Sequence, residues 1–234
     1  MNFLIKEYAQ LERTSFKTFL AFSFLVLIVL IPSFSVFSSY WRVETIQVEG
    51  SSYINQYQFL DIYNRSIWII EDASFEYMYE LDATIKNITH VKKYPNELSI
   101  KVTHFPQIAE ITDLRKSVPT KVVLYKNLFI QESSLINDVV TVTITNGPVD
   151  DGFNGEIVSL VMTLLNFDIK ISDLSIVHNG RSLKGVYRGI NIDFLEPIDL
   201  SVKGSAVGEL LEKSSCISEV TFISSNSFVT DCEI

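Results

Sequence analysis

The chain has 234 residues, 28 acidic and 19 basic side chains, a formal net charge of -9 and two cysteines. This length suits one or two domains that each bury a core, and the acidic surplus disfavours nucleic acid and anionic polymers as partners. Cys216 and Cys232 lack the spacing to further ligands that a metal site needs. They form a disulfide or remain two free thiols, and their spacing does not decide between these alternatives.

A long uncharged run lies near the N-terminus. No charged residue occurs over Thr18–Trp41, and a helix needs about 20 mostly apolar residues to cross the hydrocarbon core. A cleaved signal peptide is the competing interpretation, but its apolar part is usually about 7–15 residues long and ends in small residues. The run therefore predicts an uncleaved transmembrane helix over 18–41, in which Pro32 is tolerated and Tyr40 and Trp41 reach the aromatic belt of the far interface.

The flanking charges predict the orientation of this helix. Lys6, Arg13 and Lys17 precede the run, whereas Arg42 stands alone just after it. Positive charge prefers the cytoplasmic side, so residues 1–17 are expected to form a cytoplasmic tail and the rest to lie outside. The tail also holds two acidic residues, which leaves 16 of the 19 basic and 26 of the 28 acidic residues for the remainder.

The next segment predicts one strand followed by two helices. Val43–Glu49 alternates apolar and polar residues, and Gly50 marks its end. A short helix is expected from the spacing of Ile54, Tyr57 and Leu60. A second helix is expected to begin at Asp72 or Ser74, with a stripe formed by Phe75, Met78, Leu81 and Ile85.

A hairpin is expected to follow these helices. Proline sets the backbone angle of the first central turn position and asparagine tolerates the second, so Tyr94–Glu97 predicts a type I turn. The flanking strands are expected at about 88–93 and 98–104. Leu98, Ile100 and Val102 fall on one face together with His104, which is interpreted as the closing residue of that face rather than a ligand or a base.

These residues resemble the POTRA domain of the bacterial division proteins FtsQ and DivIB. The resemblance covers 42–109 and rests on I-x-V-x-G at Ile46–Gly50, Y-P-N-x-L-x-I-x-V at Tyr94–Val102, and Pro106 soon afterwards. A single anchor shortly before the first strand completes the layout. Members often carry glutamate where His104 stands, with the proline one residue further on, so the exit from the third strand is expected to differ here.

The remaining residues, 110–234, predict a second module. Val118–Glu132 predicts a strand pair or one bent strand, and Val139–Thr145 predicts a β-branched strand. Gly155–Phe167 has the periodicity of an amphipathic helix, and Asn179-Gly180 between apolar runs is a strong hairpin signal. Further elements are a strand over Ile190–Leu195, a helix from Asp199 or Ser201 with one apolar side (Val202, Ala206, Val207, Leu210 and Leu211), and two short strands, Ile217–Ile223 and Phe228–Cys232.

The expected fold class is α+β: a transmembrane helix, a βααββ domain, and an antiparallel sheet with helices packed on it. The second module is similar in shape to the β-type domain of the division family. In that family a partner adds a strand at the terminal edge, so the resemblance implies Phe228, Val229 and Thr230 as partner contacts. The alternative is an edge that is merely solvated.

Catalytic patterns are not evident in the sequence. It has no G-x-S-x-G elbow, H-E-x-x-H motif or phosphate-cradling glycine loop, so no catalytic, cofactor or metal residue is assigned. Asp150-Asp151 could share acid–base chemistry or bind a cation, but after Pro148 and before Gly152 the pair is interpreted as turn residues.

The resemblance implies a non-enzymatic division scaffold at the septum. Its implied partners are membrane proteins similar to FtsB (DivIC) and FtsL, together with the bilayer, without nucleic acid, cofactor or small-molecule substrate. One alternative is a POTRA-bearing adaptor for secretion or envelope transport. The other is an extracytoplasmic enzyme anchored by a signal helix, for which Asp150 and Asp151 are the first residues to mutate.

Overall fold

The computed structural model describes residues 2–51, 54–132, 138–213 and 216–232, and the chain divides into two compact units, 1–104 and 105–234. Each unit has its own hydrophobic core. The domain boundary expected after Ala109 falls inside the first strand of the second unit, Gln107–Asp113, because that strand pairs only with strands of the second unit.

Helix α1 (Asn2–Phe37) begins the first unit. Its segment Phe16–Phe34 is long and apolar enough to cross a membrane, and none of that segment is buried within the protein. A core helix of a water-soluble domain would bury its apolar side chains, whereas Phe19 and Ile31 are more than half exposed. The helix also includes most of the predicted tail, and it ends at Phe37 rather than at Trp41. There the Ser38 hydroxyl accepts from the Tyr40 backbone N–H and a 3₁₀ turn follows (Ser39–Trp41).

The first unit contains a three-stranded sheet. Its strands are β1 (Thr45–Glu49), β2 (Ile85–Lys93) and β3 (Glu97–His104), and their spatial order is β1-β3-β2. The central strand β3 is parallel to β1 and antiparallel to β2. Leu98, Ile100 and Val102 are buried on one face of β3, as their alternation predicts.

The expected hairpin joins β2 and β3. Residues 94–96 connect the two strands, in which Lys93 is opposite Glu97, and the Tyr94–Pro95 peptide bond is cis. The expected turn, with Tyr94 and Glu97 as its outer residues, is replaced by a three-residue connection.

Short helical segments fill the chain between β1 and β2. Three are 3₁₀ turns (Gln56–Phe59, Ile67–Ile69 and Asp72–Phe75), and the last of these continues into α2 (Glu76–Leu81). The predicted apolar stripe is wrong beyond Met78: Leu81 is exposed and Ile85 belongs to β2. The reason is Asp82, whose carboxylate accepts from the Thr84 backbone and hydroxyl groups and ends the helix.

The second unit is built on one large sheet. Its strands, in chain order, are β4 (Gln107–Asp113), β5 (Thr120–Tyr125), β6 (Ile130–Gln131), β7 (Val140–Asn146), β8 (Leu174–Asn179), β9 (Leu183–Tyr187), β10 (Ile190–Asp193), β11 (Glu219–Ser224) and β12 (Ser227–Thr230). Among the described residues these nine strands lie in the order β12-β11-β10-β9-β8-β7-β4-β5-β6.

The sheet is mixed, which corrects the expectation of an antiparallel one. Helix α3 (Asp151–Leu165) lies between β7 and β8, and α4 (Leu200–Lys213) lies between β10 and β11. Each of these strand pairs is parallel, as is the pair β4 and β7. A helix that follows a strand can carry the chain back to the same end of the sheet, so a parallel neighbour results.

Both helices pack on one face of the large sheet. Val140, Val142 and Ile144 are buried beneath them, whereas alternate residues such as Thr141 are exposed on the other face. The helices contact each other closely, because Gly204 in α4 leaves room for the Leu160 side chain of α3. Val207 and Leu210 are buried on the expected side of α4, but Val202 is largely exposed.

The predicted hairpin at Asn179-Gly180 is present between β8 and β9. The Asn179 side chain accepts hydrogen bonds from the backbone N–H groups of Arg181 and Ser182, and Gly180 has a φ of 90°. A positive φ of this kind favours glycine, so these two residues define the turn.

Candidate functional site

The terminal strand β12 forms one edge of the large sheet. It pairs antiparallel with β11, placing Thr230 opposite Val220, Val229 opposite Thr221 and Phe228 opposite Phe222. No strand pairs with its other side anywhere in the described ranges of the chain. An edge strand presents backbone N–H and C=O groups to which an extended segment can add.

The three predicted contact residues lie on this edge, but their side chains differ in environment. Phe228 is half-buried and packs edge-to-face on Phe222, with ring centroids 5.7 Å apart. Val229 is 56% exposed, whereas the Thr230 hydroxyl donates to the Cys232 carbonyl. Val229 is therefore the side chain of the three that is freest to contact a partner directly.

Asp231 fixes the end of this strand. Its carboxylate accepts from the backbone N–H groups of Ser218 and Glu219, both at 3.0 Å, and from the Ser218 hydroxyl. These hydrogen bonds, the Ser218 hydroxyl first, lower the pKa of Asp231 to about 2 because they favour the charged form. The carboxylate joins the end of β12 to the start of β11.

A disulfide closes the same end of the hairpin. Cys216 and Cys232 are bonded to each other, with their Cα atoms 6.0 Å apart, so the free-thiol alternative does not describe this structure. At the opposite end, the Ser225 hydroxyl donates to Asp199 over 2.7 Å. The edge strand is thus held at both ends before any partner binds.

A groove of about 430 Å³ separates α4 from the terminal hairpin. Val202, Ala206, Leu210 and Phe228 make it apolar, and the ion pair of Glu209 and Lys213, 3.2 Å apart, lies beside them. Side chains of an added strand alternate between the two faces of a sheet. Every second side chain of a segment that adds to β12 would therefore lie on the groove side.

The acidic pair singled out in the sequence has a structural role at Asp150. Its carboxylate accepts from the Phe153 backbone N–H over 2.8 Å and caps the N-terminus of α3. Asp151 is exposed in the first turn of the helix, where a negative charge is favourable.

A cavity of about 330 Å³ lies beside this helix start and brings Asp150, Glu156 and His178 together. His178 is 99% buried, tilted against the Phe153 ring at 4.8 Å, and its Nδ1 has no hydrogen-bond partner among the described residues. Burial lowers the pKa of His178, which keeps the ring neutral. Glu156 accepts from the Leu200 backbone N–H and so joins the two helices.

The other two histidines belong to the first unit. His104 Nδ1 lies 2.9 Å from the Thr84 hydroxyl, and His90 Nδ1 lies 3.2 Å from the Asp72 carboxylate. Within the described part of the chain, no group of three or more His, Cys, Asp or Glu residues has the geometry to hold a metal ion.

No family model and no curated protein matches the chain.

Sequence reasoning missed the residues that hold the edge strand. Asp231 was expected inside the strand Phe228–Cys232, but the observed strand ends at Thr230, and the role of Asp231 depends on Ser218 in a different loop. The cysteines flank the terminal strand pair, 16 positions apart, so antiparallel pairing of those strands brings them together. That geometry was the available signal for the disulfide.

Proposed function

We propose that this chain is a membrane-anchored, non-enzymatic scaffold that binds extended segments of partner proteins at the edge strand β12. The observation that carries the proposal is that β12 is a sheet edge held at both ends beside an apolar groove. A strand already fixed in position loses little conformational entropy on binding, which favours strand addition. The role resembles that of FtsQ and DivIB, with membrane partners similar to FtsB (DivIC) and FtsL.

The anchor and the disulfide support an extracytoplasmic position for the folded units. Helix α1 contains an exposed apolar segment of sufficient length to span a bilayer, and basic residues precede that segment. Disulfides persist in oxidising compartments and are rare in the cytosol. The bond between Cys216 and Cys232 therefore supports placing the second unit outside the membrane.

The small sheet of the first unit supports the POTRA resemblance. A first strand, helical segments and a hairpin follow one another, and β1 pairs in parallel with the second strand of the hairpin. Three motif residues lie in the core of this arrangement, since Ile46, Leu98 and Ile100 are buried, whereas Tyr94 of the same motif is exposed. We infer that this unit and the edge strand together act at the division septum.

A pair of matched substitutions tests partner binding at the edge. Val229→Asp places a charge at the exposed centre of β12 and is expected to weaken recovery of membrane partners at least tenfold, because the charge disfavours a strand added beside it. Val186→Asp is the control, since Val186 is exposed on the inner strand β9, which is paired on both sides. The measurement is cross-linking and affinity recovery of the full chain from membranes.

Removal of the strand extends this test. A chain ending at Ser225 is expected to lose its partners, and normal recruitment by that chain would refute the binding site. A fluorescent fusion of the intact chain is expected to form a mid-cell band at constriction. A uniform envelope signal would argue against division and favour an adaptor for secretion or transport.

A further inference from the structure

Four aromatic side chains form a cluster where the chain leaves helix α1. The Trp41 ring lies 5.2 Å from the rings of Tyr40 and Trp68, and the Tyr94 ring lies 4.8 Å from Trp68, measured between centroids. Tyr40, Trp68 and Tyr94 are 63%, 42% and 54% exposed. The first two residues of the cluster follow the helix, and the other two come from separate loops of the folded unit.

Backbone hydrogen bonds attach the Trp68 loop to the segment that leaves the helix. The Val43 N–H donates to the Arg65 carbonyl and the Asn64 N–H donates to the Val43 carbonyl, both at 2.9 Å. An isolated antiparallel bridge pairs Arg42 with Ser66. No flexible linker therefore separates the end of α1 from this loop, and the depth of Tyr40 and Trp41 determines the depth of Trp68.

The length of the helix places the cluster at the surface of the bilayer. Counting from Lys17, the last charged residue before the apolar run, about 30 Å of helix extends to Phe37. The hydrocarbon core is about 30 Å thick, and the headgroup region adds roughly 5–7 Å on each side. Tyr40 and Trp41 follow Phe37 by three and four residues, so they lie in that headgroup region.

We propose that the aromatic cluster of Tyr40, Trp41, Trp68 and Tyr94 inserts into the headgroup region and holds the first folded unit directly on the membrane. Tryptophan and tyrosine combine an apolar ring with a hydrogen-bonding group, and they concentrate at this boundary. Ile69, 55% exposed, adds an apolar side chain next to Trp68. The cluster is proposed to contact lipid and not another protein, because helix α1 places the cluster at the surface of the bilayer. This inference rests on the proposed membrane anchor but does not depend on the division role.

Tryptophan fluorescence tests the inference, because Trp41 and Trp68 are the two tryptophans of the chain. The full chain carrying Trp41→Phe retains Trp68 as its sole tryptophan and is inserted into phosphatidylcholine vesicles. Lipids brominated near the carbonyl end of the acyl chain are expected to quench roughly half of the Trp68 emission, because only a ring at the interface approaches them. Lipids brominated near the methyl end are expected to quench little, and aqueous iodide is expected to be excluded.

A tryptophan elsewhere in the same unit is the matched control. Asn87 is exposed in β2, seven residues before Tyr94, which in an extended strand corresponds to about 23 Å. Asn87→Trp, in a chain that also carries Trp41→Phe and Trp68→Phe, is expected to respond to iodide and not to brominated lipid. Equal lipid quenching of this residue would overturn the specific role of the cluster.

The complementary variant distinguishes failure of the inference from failure of the anchor. Trp68→Phe retains Trp41. If lipid quenches Trp41 in this variant while iodide quenches Trp68 in the Trp41→Phe chain, the inference is overturned and the anchor stays intact. Failure of the chain to float with vesicles would overturn both. Partner recovery through β12 is measured separately, so the division role is tested independently of this result.

Discussion

At the scale of single residues, Asp150 shows how local backbone chemistry explains a motif that suggested catalysis. The Asp150 carboxylate accepts a hydrogen bond from Phe153, and the Asp150 carbonyl accepts one from the Asn154 N–H. Both bonds begin helix α3, where backbone donors otherwise have no partner. The capping role therefore accounts for Asp150 without acid–base chemistry shared with Asp151.

The two aspartates are expected to respond differently to mutation. Asp150→Ala should lower the stability of α3 by about 1 kcal/mol, because it removes the cap from the first turn of the helix. Asp151→Ala is the matched control and should cost less, since the Asp151 side chain is exposed. Hydrogen exchange of α3 peptides measures the difference as a rise of about fivefold in exchange rate for Asp150→Ala. Equal rates for both variants would contradict the capping role.

At the scale of elements, Asp231 adds hydrogen bonds to the start of β11 that supplement the backbone pairs of the terminal hairpin. The pKa of Asp231 is about 2, below the usual value of 3.8, so the unfolded hairpin binds a proton more readily than the folded one between these values. The contribution of Asp231 to stability is therefore present above about pH 4 and is lost as the pH falls through about 2.

Asp231→Asn is expected to remove this pH dependence. In the unaltered chain, protection of β11 and β12 from hydrogen exchange should decrease between about pH 4 and pH 2, after correction for intrinsic exchange rates. The variant should be less protected at neutral pH and should change little over that interval. Asp173→Asn is the control, because Asp173 pairs with Arg188 in the turns that precede β8 and β10, away from the terminal hairpin. An unchanged pH profile in Asp231→Asn would refute the assignment.

The sequence predicts elements well where the pattern is local. The periodicity within α3, the Asn179-Gly180 turn and the alternation of Leu98, Ile100 and Val102 each depend on neighbouring residues, and each corresponds to the observed element. Strand β4 was missed because its residues alternate imperfectly, with Ile108 and Ala109 both buried at a register shift. The parallel pairs were missed because strand direction depends on crossovers rather than on composition.

At the scale of the whole molecule, the exposed apolar helix makes a membrane anchor directly testable. Two arginines placed near the centre of its span, Leu25→Arg with Val29→Arg, should raise the free energy of insertion by about 6–8 kcal/mol. The chain is then expected to move from the membrane fraction to the soluble fraction after alkaline extraction.

Exposed positions in the second unit provide the control for this variant. Val118→Arg with Ile223→Arg adds the same charge at side chains that are 72% and 66% exposed, and should leave the chain in the membrane. Retention of the helix variant in the membrane fraction would contradict the anchor. An intact mass for the membrane-bound chain is expected, and loss of the first forty residues would indicate a cleaved signal peptide instead.

The sequence alone predicts only part of the candidate site. A short strand was expected at Phe228–Cys232 and one is observed over Ser227–Thr230, but its position at a sheet edge depends on the order of strands distant in the chain. The groove beside it requires α4 to pack across β11 and β12, and the aromatic cluster joins residues from three separate segments. Such proximity follows from tertiary packing and leaves no periodic signal.

Helix α1 continues without a break from Asn2 to Phe37, a length of about 54 Å, whereas the hydrocarbon core is about 30 Å thick. If the segment Phe16–Phe34 spans a bilayer, about 20 Å of the same helix extends beyond the hydrocarbon core on its N-terminal side. If it pivots near the middle of the core, a 10° change in tilt displaces its N-terminal end by roughly 7 Å. A small reorientation of the folded units that follow the helix would then be accompanied by a larger lateral displacement of its N-terminal end.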